Sequence, residues 1–158
     1  FSKEGNINSI LLKELMDNDF IDKPPPKSTG RHEFGIDLIK YIVNKYPNLL
    51  PNDLIRTLCA YTAKSIAINI HKFLNFSTSD LELIVSGGGV HHPLVMKDLE
   101  ENISINTIKK IDKYGINSDM KESLLMAVLG IAYINNIPAN MPSVTGANKL
   151  TNLGKIIK

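Results

Sequence analysis

Residues Leu83–Pro93 read LIVSGGGVHHP, an apolar run that breaks into three glycines and then reaches a proline. Isoleucine and valine ahead of a glycine break suit a short buried strand, placed over Leu81–Val85. Proline suits the first position of a helix, where its missing N–H would have had no partner anyway. Strand, glycine loop and helix in that order commit the chain to an α/β arrangement. The same order has chemical meaning. Backbone N–H groups at Ser86, Gly87, Gly88 and Gly89 can face an anion without Cβ obstruction, and the following helix start adds partial positive charge. The loop lacks the Lys-Ser/Thr of a P-loop and is not GxGxxG, so neither fingerprint applies. The pattern alone fits a nucleotide or anion site and fits equally a strand-to-helix connection that binds nothing.

The rest of the chain supplies mostly helices. Ile7, Ile10, Leu11 and Leu15 recur at helical spacing over residues 6–16, and Phe34, Leu38, Ile39, Ile42 and Val43 do so over Phe34–Tyr46, ahead of Pro47. Asn52 is the expected cap of a longer helix, with Asp53 in its first turn and Leu54, Leu58, Tyr61, Ile66, Ile70, Phe73 and Leu74 on its buried face. Ser77–Asp80 reads as a turn. The helix opened by Pro93 is expected to run to about Asn102, and Ile103–Ile111 is a second strand with imperfect alternation. Asp119 with Glu122 three residues on forms a capping-box pattern, and Leu124–Tyr133 is apolar on nearly all sides, so that helix is expected to be buried. Val144–Ala147 reads as a tight turn.

Strand, helix, strand, helix implies a parallel pair, yet two strands are few for a sheet of this class. The sheet is therefore expected to lack members. The start at Phe1 rather than Met points the same way, to a removed leader or a piece of something longer.

Composition narrows the partners. A net charge of +2, with acidic and basic residues interspersed, leaves no clustered basic face for nucleic acid. The longest apolar run, Leu124–Ile134, is far short of the roughly 20 residues of a membrane span. Cys59 is the single cysteine, which excludes an internal disulfide and makes a reducing, cytoplasmic setting the expectation.

Three further stretches carry candidate chemistry. Asp22–Glu33 contains three consecutive prolines, a stiff extended loop, and ends in Lys27-Ser28-Thr29-Gly30-Arg31. Lys27 and Arg31 can clamp a phosphate or carboxylate with help from the two hydroxyls; a solvated charged turn is the plainer reading. His91 and His92 sit at the exit of the glycine loop with no Cys, Asp or Glu at a ligand-like offset, so no metal site is expected there and contact with a bound ligand is. Glu122 is explained by capping, and at a helix start beside a cleft it would also suit a sugar hydroxyl. No Ser-His-Asp set, paired carboxylate or placed Asp for phosphoryl transfer stands out.

Taken together these stretches resemble one family, the anhydro-N-acetylmuramic acid kinases of bacterial cell-wall recycling. The matching residues are Pro24–Arg31 (PPPKSTGR) with Glu33-Phe34, then Val85–Gly89 with His91 and Pro93, then Lys121-Glu122, Pro142–Ala147 (PSVTGA) and Leu153–Ile156. The family usually has Asn where this chain has His92. The resemblance implies the superfamily of acetate and sugar kinases, heat-shock chaperones and actin, whose members close two ribonuclease-H-like domains over ATP. Residues 1–158 would be most of the second domain, an incomplete actin-like ATPase domain with helices packed on a short, mostly parallel sheet. Its first strands, the whole N-terminal domain and the catalytic aspartate would lie upstream of Phe1. Ser86–Gly89 and His91 would line the adenosine side of the nucleotide, and Lys27–Arg31 and Glu122 would be active-site or hinge residues. ATP with Mg2+, held mainly outside this chain, and an anhydro amino sugar would be the ligands, in an enzyme whose relatives admit a homodimer. A non-catalytic nucleotide-binding module of the same superfamily is the competing reading, and a structural domain with an empty loop the weaker third.

Overall fold

The computed structural model describes residues 3–74, 81–105 and 107–157. The expected turn at Ser77–Asp80 lies outside them. Helices α1 (Ser9–Met16), α2 (Asp19–Asp22), α3 (Arg31–Phe34), α4 (Ile36–Lys45) and α5 (Pro51–Phe73) come first. Strand β1 (Glu82–Val85), helix α6 (Pro93–Asn102) and strand β2 (Thr107–Lys110) form a βαβ unit, followed by α7 (Lys121–Ile134) and the single turn α8 (Pro142–Thr145). The two strands are parallel, with Leu83 opposite Ile108 and Val85 opposite Lys110. The α/β class, mostly helical with a short parallel pair, is as the sequence implies.

The spine is α5. Its 23 residues span about 35 Å at the usual helical rise. Pro51 occupies the first position, so Leu50 and not Asn52 is the residue at the cap, and no side chain caps it. Asp53 does lie in the first turn, but its carboxylate accepts from the backbone N–H of Asn6, while the Thr57 hydroxyl accepts from that of Asn8. The N-terminal segment is thus stitched onto α5. Gly5 permits it: a Cβ there would sit 2.1 Å from the carbonyl oxygen of Asn52.

Two apolar clusters use opposite parts of α5. Leu11, Leu12, Leu15, Ile21 and Ile42 from α1, α2 and α4 gather on Ala60 and Tyr61. Ala63 and Ala67 instead meet Leu99 and Ile103 at α6, with Leu83, Val85, Ile105 and Ile108 of the sheet region beneath. The most buried positions of α5 are therefore Thr57, Cys59, Ala60, Tyr61, Ala63 and Ala67, whereas Ile66 and Leu74 are exposed. Small side chains let α6 approach closely; of the larger residues expected on the buried face, Tyr61 is buried, and Leu54, Leu58 and Ile70 are partly buried against the two clusters.

One ion pair lies in that contact. Arg56 donates to both carboxylate oxygens of Asp98, at 2.5 and 2.9 Å, with Asp98 almost fully buried. A second charge cluster joins α1 to α4: Glu14 accepts from Lys45 Nζ at 2.7 Å and from the hydroxyls of Tyr41 at 2.6 Å and Tyr46 at 2.5 Å.

Helix α7 departs most from expectation. It exposes Leu124, Leu125, Met126, Val128, Ile131 and Ile134, and only Ala132 is buried. Likewise β1 covers Leu83 and Val85 but leaves Ile84 about half exposed. Among the described residues the C-terminal segment at Leu153 and Ile156 borders one side of α7, and the rest of that apolar helix and Ile84 of the strand, both read as buried, stand open.

Two predictions follow from the charges. Removing one partner of a buried pair strands the other, so Asp98→Ala is expected to cost roughly 3–5 kcal/mol, read by denaturant unfolding, while replacing both partners with apolar residues costs far less. The Lys45 ammonium, then the Tyr41 and Tyr46 hydroxyls, pull the Glu14 carboxyl from its ordinary 4.5 down to about 2. A folded-state pKa below the unfolded one contributes stability that is complete above about 4.5 and lost as pH falls toward about 2. The difference in thermal midpoint between the native chain and Glu14→Gln should therefore shrink across that window.

Candidate functional site

The loop after β1 and the loop after β2 leave the same, carboxyl edge of the parallel pair, where open α/β sheets bind their ligands. After Val85 the chain passes Ser86 and turns at Gly87, which has φ +85° and ψ 174°, a conformation open in practice only to glycine. Gly88–His91 forms one 3-10 turn, with Val90 N–H donating to Gly87 O and His92 N–H to Gly89 O, each at 3.1 Å. Val90 is buried and anchors the turn from beneath. Gly88 and Gly89 are exposed, and a Cβ on either would meet nothing within 4 Å among the described residues. Neither has a positive φ. The backbone conformation thus demands glycine at position 87, and neither conformation nor packing among the described residues demands it at 88 or 89. The bare backbone there faces open space.

His92 ends the turn and caps α6: its Nδ1 accepts from Val95 N–H at 3.4 Å, and its Nε2 lies 3.7 Å from the buried thiol of Cys59. Burial pushes that thiol up from its ordinary pKa. The third residue of a helix is the usual donor to a cap side chain, so His92 does here what an Asn would do.

The other wall is the chain entering α7. His91 Nε2 lies 2.8 Å from Asp119 Oδ1. Lys121 reaches back so that its Nζ is 3.8 Å from where a Cβ of Gly87 would stand, and it lies 3.5 Å from a carboxylate oxygen of Glu122. Asp119 is therefore not the cap of α7. That position is Met120, which has no side-chain cap bond, and the expected capping box between Asp119 and Glu122 is absent. Asp119 faces the glycine loop instead. Sequence reading missed both Asp119 and Lys121 as parts of this site. Only their place just before Glu122, already a candidate, pointed there.

The Lys27–Arg31 stretch lies elsewhere. Lys27 Nζ donates to the carbonyls of Phe20 at 2.8 Å and Ile21 at 3.2 Å, and sits 4.8 Å from the ring centroids of both Phe20 and Phe73. Desolvation by that surround lowers its pKa from the ordinary value. Its charge is spent on closing α2 and holding α5 to the proline loop. Thr29 donates to the Glu33 carboxylate one turn on, Gly30 precedes α3, and Ser28 and Arg31 are exposed. Among the described residues no hydrogen bond or ion pair joins this stretch to Ser86–His91. It meets the other distinctive segment: Pro26 lies 3.7 Å from the Cβ position of Gly146, which closes α8 with φ +75°. A cavity of about 610 Å³ opens near Thr29 between α3, α4 and α5, and is lined chiefly by apolar groups such as Phe34, Leu38 and Tyr61. It lacks charged side chains and is not the site built around the glycines.

Known proteins place the chain. A family model described as anhydro-N-acetylmuramic acid kinase matches residues 1–158. The chain belongs to this family. Curated relatives named anhydro-N-acetylmuramic acid kinase include that of Clostridioides difficile (strain 630), 36% identical over 156 residues, which are 99% of this chain and 41% of the relative. The protein of Salinibacter ruber is 36% identical over 154 residues (96% and 39%), and that of Vibrio vulnificus 33% over 154 (98% and 41%). The chain thus spans about two fifths of the length of the relatives it matches. No helix among the described residues is long and apolar enough to cross a membrane.

The glycines give a paired prediction. Gly87→Ala is expected to lose roughly 1–3 kcal/mol of folding stability, the cost of forcing a side chain into that backbone region. Gly88→Ala should leave the thermal midpoint unchanged, and comparing the two by thermal unfolding checks the assignment.

Proposed function

We propose that this chain is the C-terminal, nucleotide-holding part of an ATP-dependent kinase that opens the anhydro ring of anhydro-N-acetylmuramic acid and phosphorylates it. The observation that carries the reading is a family match over the whole chain that includes a glycine loop at the carboxyl edge of β1, with bare backbone facing outward at Gly88 and Gly89. In this reading the chain is most of a second, actin-like domain. The two-stranded sheet and the uncovered faces of α7 and β1 support that, since each is a surface that further strands of such a domain would cover.

The reaction balances as follows. Water adds to the anomeric carbon and gives its proton to a base, the bond from that carbon to the bridging oxygen breaks, and this oxygen takes the γ-phosphoryl group. The products are N-acetylmuramic acid 6-phosphate and ADP. This reading assigns the base to an aspartate upstream of Phe1. Mg2+ would neutralise phosphate charge, and this reading assigns its protein ligands mainly upstream as well. The residues here would bind and orient: Ser86–Gly89 offer backbone N–H groups and a flat face to the adenosine side, with His91 and Lys121 at the rim. Glu122, exposed at the start of α7 beside Lys121, is the candidate for a sugar hydroxyl or for the cleft wall. Lys27–Arg31 would act by shaping the proline loop against α5 and α8.

In the full-length protein, Gly88→Val is expected to weaken ATP binding at least tenfold in calorimetry, because a branched side chain fills the face the nucleotide would use. Phosphorylated sugar, followed by mass spectrometry, should form with the full-length protein and not with the isolated 158-residue chain. ATP binding without any sugar product from the full-length protein would favour a non-catalytic nucleotide module, and turnover by the isolated chain would sink the division of labour.

A further inference from the structure

The glycine loop is gripped at both ends by the segment leading into α7. Its start, Gly87, adjoins the Lys121 ammonium, and its exit, His91, is bonded to Asp119 across 28 residues of sequence. Asp119 is itself held by a relay that begins at the end of β2. The Asp112 carboxylate accepts from the Ser118 hydroxyl and from Ser118 N–H at 3.3 Å, and Ser118 is fully buried. Those two bonds from Ser118, hydroxyl first, hold the Asp112 carboxyl below the ordinary carboxylate range. Asn117 then accepts from Asp119 N–H at 2.8 Å, which fixes the backbone from which the Asp119 side chain extends. Gly115 makes the reversal possible with φ +80°.

A relay of this kind is more than a loop stitch. A carboxylate only accepts, so Nε2 of His91 carries the hydrogen, and the ring orientation is set by a group whose own position is fixed. We propose that Asp119 is a positioning residue for the nucleotide: through His91 it holds the exit of the glycine loop, so that the Ser86–Gly89 amides meet the nucleotide without first having to order. This rests on the reading of that loop as the nucleotide site. Because the loop turns on exposed glycines, its competent shape is one of several, and the apparent affinity falls by the fraction of time that shape is populated. Asp119 raises that fraction without touching the ligand.

The test uses the full-length protein and steady-state kinetics with ATP and sugar varied separately. Asp119→Ala is expected to raise KM for ATP about threefold to tenfold, in the range of one partly exposed charge-assisted bond, with kcat and the sugar KM changed less than twofold. Asp119→Asn keeps an acceptor for Nε2 and should recover most of the loss. In a His91→Ala background, Asp119→Ala should have no further effect on KM for ATP. Asp37→Asn, at a surface pair with Lys40 remote from the loop, serves as the unaffected control. Thermal midpoints of all variants separate positioning from unfolding. An unchanged KM for ATP in Asp119→Ala overturns the proposal, as does an effect that persists in full when His91 is absent. Gly88→Val keeps the two levels apart: if it too leaves KM for ATP unchanged, the nucleotide reading of the loop falls as well, and if it alone raises KM, only the role of Asp119 falls.

Discussion

The contact between α5 and α6 is the joint on which the other elements hang, and the Arg56–Asp98 pair fixes its register. Alanines at 63 and 67 make α5 smooth enough for close approach, but smooth surfaces slide. A two-pronged pair between guanidinium and a nearly buried carboxylate has one good geometry, so it selects one alignment of the two helices. Such a pair adds little net stability after desolvation; its contribution is in excluding the alternatives. Because α6 lies between β1 and β2 in the chain, fixing α6 on α5 also fixes where both strands end. The glycine loop inherits its position from that.

This hierarchy explains which parts could be read from residues alone. The strand before the glycines, the helix opened by Pro93 and its end near Asn102 were legible because local chemistry sets them: β-branched residues, a proline at a helix start, a loss of periodicity. The buried side of α5 was legible in part: Tyr61 is buried and Leu54, Leu58 and Ile70 pack against the clusters, while Ile66 and Leu74 are exposed. Periodicity follows large apolar residues, and the contact with α6 is made by Ala63 and Ala67, which carry little hydrophobic signal. The second strand is shorter than Ile103–Ile111 because Ile103 and Ile105 are used in the packing beneath α5 and α6 before pairing begins at Thr107.

The candidate site shows the same division. Ser86–Gly89 stands out in sequence as a candidate, although the pattern alone fits equally a strand-to-helix connection that binds nothing. Asp119 looked like a helix cap because a carboxylate three residues ahead of Glu122 fits that local rule. In space a longer-range partner wins: the His91 imidazole is within 2.8 Å, while the first turn of α7 is left without a side-chain cap. Lys27 is the converse. A lysine among hydroxyls and a glycine suggests an anion clamp, yet the aromatic rings and helix carbonyls around it absorb both its stem and its charge.

Helix α7 connects the candidate site to an open apolar surface. An amphipathic helix would need only one covered side, but α7 is apolar around most of its circumference and so needs partners on several. Within the chain it meets the C-terminal segment, where Leu153 and Ile156 lie along Met126, Leu129 and Tyr133, and little else. Its first turn carries Lys121 and Glu122 and follows directly on Asp119. Whatever covers the open flanks of α7 in a longer protein therefore presses on the same rigid rod whose first turn borders the glycine loop. A helix of 14 residues moves as a unit, so a change of packing along its length is delivered to Gly87 and His91 as a displacement of their partners.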